Sequence, residues 1–189
     1  MPFEYGFCEL FLIFLFWGIV GWLIEVVDMR IEAGEFQNRG FLHIPFCPIY
    51  GVGMAVASVG LSGVKNSYMI LFAFGVIFCS VFEYIVGGIL ERLFHSKWWD
   101  YSHMRFNIKG RVCLRNAILF GFGAILVFRF AEPMVESVIL LIPVKVRVLI
   151  TVIFGVAFAI DLVFSARRAW AYRAKQEGDK PMLVFKAHR

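Results

Sequence analysis

A chain of 189 residues that is 60% hydrophobic, with 22 phenylalanines and a mean hydropathy of +0.76, has more apolar surface than one soluble domain of its length can cover. This excludes an ordinary water-soluble domain and makes lipid the solvent for most of the chain. The net charge of +5 is no sign of nucleic-acid binding, because the bases gather in the connections and the C-terminal tail, where membrane topology already places them.

The first apolar run, residues 7–27, is long enough to cross ~30 Å of hydrocarbon as a helix. Glu4 and Glu9 stand where a cleaved signal segment would need bases, so the run is expected to be retained. Gly18, Gly21, Trp22 and Glu25 fall on one face of that helix. After a connection at 28–45 that carries Arg30 and Arg39, the stretch CPIYGVGMAVASVGLS begins at Cys47. It is short, but its Gly, Ala and Ser are the residues that helix contacts inside a bilayer favour, so it is expected as a buried span. His43 and Cys47 stand at i, i+4, yet Pro45 between them breaks the helix that would align them as ligands.

Residues 67–93 form the third span. At about 100° per residue, Cys79, Ser80, Glu83, Gly87 and Glu91 share one small, polar face. The polar loop HSKWWDYSHMRFNIKG, residues 95–110, follows directly. Its Trp98, Trp99 and Tyr101 suit the headgroup layer. Arg39, Arg105, Lys109 and Arg111 offer phosphate donors, and Asn107 and Gly110 can add amide contacts. With Asp100 in the same loop, the expected rim of a substrate site is Arg39, Asp100, Arg105, Asn107 and Arg111. Glu91, His95, Asp100 and His103 are of the types that hold Zn²⁺ or Mn²⁺, or act as acid and base on a headgroup. No HExxH or other metal signature accompanies them, so no metal is expected and no cofactor is assigned.

The fourth and last spans are residues 112–130 and 146–165. Ala157, Asp161 and Ser165 share a face of the last one. Between them VESVILLIP, set off by Pro133 and Pro143, is too short to cross and is expected to be a re-entrant or interfacial piece at 132–143. The cysteines Cys8, Cys47, Cys79 and Cys113 lack CxxC spacing and read as reduced small hydrophobes.

An unpaired acid within a span costs at least about 2.5 kcal/mol. Glu25, Glu83 and Asp161 are therefore expected to line one polar cavity or, failing that, to pair with bases such as Arg111 and Arg115. The run bearing Glu25 is followed by Asn38, Gly40, Cys47, Gly51 and Gly53, and the run bearing Glu83 by Asn107, Gly110, Cys113, Gly121 and Gly123. That echo, with unequal spacings, suggests a parallel internal repeat. Bases crowd the connections at 28–45 and 94–111 and the tail ARRAWAYRAKQEGDK, which places those segments in the cytoplasm and the N-terminus outside. Without a Walker A motif, a Gly-rich nucleotide loop or GxSxG, neither ATP hydrolysis nor serine-hydrolase chemistry is expected of the chain itself.

RGFLHIPFCPIYGVG and ERLFHSKWWDYSHMRFNIKGRVCLRNA resemble the two signature segments of a bacterial family of ABC-transporter type IV membrane proteins, the CmpB-like family. The resemblance covers most of residues 7–165, is most specific from WWDYS through NIKGRVCL, and extends to small animal transmembrane proteins grouped with that family. It implies a multi-pass membrane protein with a permease role, and it supplies no substrate or catalytic residues.

The expected protein is an all-α bundle of about five transmembrane helices, with a polytopic domain at 1–166 and a basic cytoplasmic tail at 167–189, in a bacterial plasma membrane. Its expected role is as a transport subunit for a small solute or amphiphile, using a cytoplasm-facing polar cavity. Membrane lipids, a separate ATPase subunit and a second copy of the chain are the expected partners. A membrane-embedded enzyme acting on lipid headgroups and a non-catalytic scaffold are the alternatives.

Overall fold

The computed structural model describes residues 5–33, 42–63, 66–95 and 97–178, and these are helical apart from one small hairpin and the connections. Two compact units emerge, one of Met1–Ser62 with Phe130–Ala166 and one of Gly63–Arg129 with Arg167–Arg189. Among the described residues four helices are long and apolar enough to cross a membrane: Phe7–Asp28, Tyr68–Phe94, Leu114–Leu141 and Val144–Ala171. The protein is thus an all-α integral membrane protein.

In the first unit, α1 (Phe7–Ala33) packs along α2 (Pro48–Gly60). Pro48 occupies the first turn of α2, where a missing N–H breaks no helical hydrogen bond. The Cys47 amide donates to the Gly18 carbonyl at 2.9 Å, fixing the start of α2 against the middle of α1. The rings of Phe14, Phe46 and Phe158 meet there with centroids 4.9–5.6 Å apart. With 13 residues, α2 is only about 20 Å long, shorter than the four spanning helices.

In the second unit, Ser67 caps α3 (Tyr68–Phe74) by accepting from the Ile70 amide at 3.4 Å. A π turn, Gly75–Cys79, joins it to α4 (Ser80–Phe94), so the third predicted span is one helix with a local widening. Strands β1 (Asn107–Ile108) and β2 (Val112–Cys113) pair antiparallel, Asn107 opposite Cys113. Cys113, in extended backbone, then starts α5 (Leu114–Leu126), which packs along α3 and the π turn.

The structure corrects the sequence reading after α5. A second π turn, Val127–Ala131, leads into α6 (Glu132–Leu141), so the piece expected to be re-entrant continues the helix begun at Leu114. Pro133 lies in the first turn of α6. The preceding π turn already interrupts the i to i−4 ladder where its ring and missing N–H would otherwise do damage. The helix ends at Ile142, whose extended backbone, φ −77° and ψ 124°, is what a following proline demands. Helix α7 (Val144–Gly178) continues past residue 167, where the tail was expected to begin.

Candidate functional site

In the second unit the polar loop folds back against α4. His95, at φ 52°, closes that helix by donating its amide to the Glu91 carbonyl at 2.9 Å. Lys109 and Gly110, at φ 54° and 70°, make the mirror-image turn that suits a tight hairpin, closed by the Arg111 amide on the Ile108 carbonyl at 3.1 Å. Asn107 braces this turn. Its Nδ2 donates to the carbonyls of Met104 (2.8 Å) and Ser102 (3.3 Å), and its Oδ1 accepts from the Gly110 amide at 3.0 Å.

Asp100 accepts from the Ser102 amide at 2.9 Å, the Ser102 hydroxyl and Lys97 Nζ at 3.2 Å. Burial pushes its carboxyl up, but the Ser102 hydrogen bonds and Lys97 outweigh this and hold it below the usual 3.8. Trp99 Nε1 donates to the Arg111 carbonyl at 2.8 Å, and the Tyr101 hydroxyl donates to Glu83 Oε1 at 3.1 Å.

The Arg111 guanidinium donates to Glu91 Oε2 from Nε (3.0 Å) and Nη2 (2.7 Å) and lies 5.1 Å from the Tyr84 ring centre. Hydrogen bonding to Glu91 raises its pKa further. Gly88 makes room for it, since a Cβ there would stand 2.9 Å from Nη1. Arg111 thus pairs with Glu91 rather than Glu83, while Asp100 and Asn107 serve the loop's own architecture and Arg105 is exposed. Arg39 lies outside the described residues, as do Asn38 and Gly40 of the repeat.

The first unit holds the other two predicted acids. Glu25 accepts from the Tyr50 hydroxyl at 2.9 Å. The ring of Tyr50 reaches it across Gly21, where an added Cβ would meet Tyr50 Cβ at 2.5 Å. Asp161 Oδ2 accepts from the amides of His43 (2.9 Å) and Ile44 (3.3 Å), and its Oδ1 lies 3.0 Å from His43 Nδ1. That nitrogen is also 2.9 Å from the buried Ser165 hydroxyl. Both contacts fall on Nδ1, so the three side chains are not ordered as a nucleophilic triad, which would use the two ring nitrogens separately.

Glu132 went unrecognised in the sequence. It is fully buried and accepts from Trp17 Nε1 and the Ser58 hydroxyl, each at 2.6 Å, joining α1, α2 and α6. Tyr5 donates to Glu136 at 2.6 Å, and burial followed by Glu136 pushes its phenol up. Arg147 pairs with Glu9 at 2.7 Å. An acid three residues beyond Arg129 and next to Pro133 looks like a connection in sequence, which hides Glu132. Among the described residues, no group of three His, Cys, Asp or Glu side chains is placed to hold a metal ion.

Glu25, Glu83 and Glu132 thus meet phenol, indole and hydroxyl donors, and Asp161 meets an imidazole and two amides. Such donors orient a carboxylate without adding a formal positive charge, except where the imidazole is protonated.

The family described as putative ABC-transporter type IV matches residues 12–166. No curated protein and no solved structure matches the chain.

Proposed function

The chain belongs to this family across both units, and from that premise we propose that it is the membrane subunit of a transport system for a small cationic or amine-bearing solute or amphiphile. ATP hydrolysis is assigned to a separate chain, because this one carries no nucleotide-binding motif.

One observation carries the reading: Glu83, 9% exposed within a helix long enough to span, accepts from the phenol of Tyr101 in the adjoining loop. Intramembrane ionisable groups are costly and mark solute or proton paths, and the phenol of Tyr101 orients this carboxylate. Glu25 with Tyr50 repeats that chemistry in the first unit. Arg111 is already matched by Glu91, so the anion-binding role expected for it is not part of this proposal.

The test is a thermal-shift screen of purified protein against quaternary ammonium ions, primary amines, inorganic cations and phosphate. Some cations should raise the Tm of the wild type and not that of Glu83→Gln. Stabilisation by phosphate alone, unaffected by the substitution, would refute the cationic assignment.

A further inference from the structure

We propose that the first arm of the hairpin, residues 105–109, is a lipid-binding element that seats Phe106 and Ile108 in the headgroup layer of an anionic bilayer, with Arg105 and Lys109 on lipid phosphates. Phe106 is 78% exposed and Ile108 59% exposed, although the loop has the means to cover aromatics. Trp98 packs on Phe94 at 5.3 Å, and Trp99 and Tyr101 turn inward to hydrogen-bond partners. The residues expected from sequence to face the headgroups are thus half-buried, and two others take the exposed place.

The exposure of Phe106 is built into the backbone. It sits at φ 53°, a costly conformation for a bulky side chain that persists only where the surroundings enforce it. Here its carbonyl accepts the Leu114 amide at 3.2 Å, and Asn107 beside it ties the turn together. The hairpin is therefore pre-organised to hold an apolar ring outward.

Its position and charge identify the occupant. The loop leaves α4 at Phe94 and enters α5 at Leu114, ends of two helices apolar enough to span, which sets it at headgroup height. Leu93 and Leu114, both 46% exposed, continue the apolar surface of those helices up to it. From His103 to Lys109 the sequence holds Arg105 and Lys109 and no acid, which complements phosphate and repels a basic surface. Apolar insertion combined with bases at lipid phosphates is how interfacial elements choose anionic membranes.

To test this, the full chain carrying Phe106→Cys, labelled with an environment-sensitive dye in a background lacking the native cysteines, is placed in nanodiscs of phosphatidylcholine with and without phosphatidylglycerol. Brominated lipid should quench the dye and aqueous iodide should not, with the larger effect in anionic discs. Arg105→Gln and Lys109→Gln should each shift the inserted-to-exposed ratio by about fivefold, the equivalent of about 1 kcal/mol per surface charge. Hydrogen exchange across 104–110 in the unsubstituted protein makes the same lipid comparison without a label. Iodide quenching in both lipids overturns the proposal, as does protection that appears only when other membrane proteins are added. Equal insertion with and without phosphatidylglycerol overturns the anionic assignment.

Discussion

Removing a neutral donor from a buried carboxylate has a different cost from removing the carboxylate. Tyr101→Phe deletes the hydroxyl that Glu83 accepts from and should lower stability by about 1–3 kcal/mol, read as a fall in Tm. Glu83→Gln keeps the shape and an acceptor, so it should hold stability within about 1 kcal/mol while abolishing cation-dependent stabilisation. Asp100 gives a pH signature. Its folded pKa lies below 3.8, so its contribution is fully present above 3.8 and lost as pH falls through the lower folded value. Hydrogen exchange in the 97–102 segment should therefore quicken below that range, and Asp100→Asn should remove the dependence. The sequence marks Glu25, Glu83 and Asp161 because charges stand out in apolar runs. Their partners were invisible, since Tyr50, Tyr101 and His43 lie 25, 18 and 118 residues away, and helical periodicity reports a face without naming what touches it. Asp100 and Asn107 show the converse, because a side chain that hydrogen-bonds its own turn has the same letter as one offered to a ligand.

At the scale of elements, the contact of α1 with α2 depends on the absence of a side chain at Gly21. Gly21→Ala forces Tyr50 aside at its Cβ, close to the backbone and unable to swing away, so overpacking of about 1–3 kcal/mol is expected, visible as a lower Tm and less folded protein. Asn107→Ala removes three hydrogen bonds from the hairpin and should quicken amide exchange across 101–111, with α4 and α5 unaffected. Phe7–Asp28, Tyr68–Phe94 and Val144–Ala171 were legible because long apolar runs declare themselves. The end of the fourth predicted span was not. Arg129, Glu132 and Pro133 read as a break, whereas a π turn carries the helix through them and Glu132 finds its donors inside the fold.

For the whole molecule, the crossing count turns on α2. If it crosses, as its Gly, Ala and Ser lead one to expect, the two termini lie on opposite faces. In a cysteine-free background, a Cys at position 31, beyond the first span, should react only from the cytoplasmic side and one at position 66 only from outside, and both reacting from one side would refute five crossings. Cys47 and Cys113 each precede a helix in extended backbone after an acid-bearing helix. The phenol on that acid comes from within the following helix in one unit and from the loop in the other. The two π turns, Gly75–Cys79 and Val127–Ala131, bear on which length changes the chain can survive. Each accommodates one residue more than the α turn it replaces, with the flanking helix keeping its facing. Deleting Ile77 should relax the first into plain α-helix and leave Glu83 pointing at Tyr101, so the shortened protein folds. Deleting Ile85, where no surplus residue exists, should swing Glu91 about 100° from Arg111 and abolish folding, marking the π turns as the places where this helical chain tolerates insertion and loss.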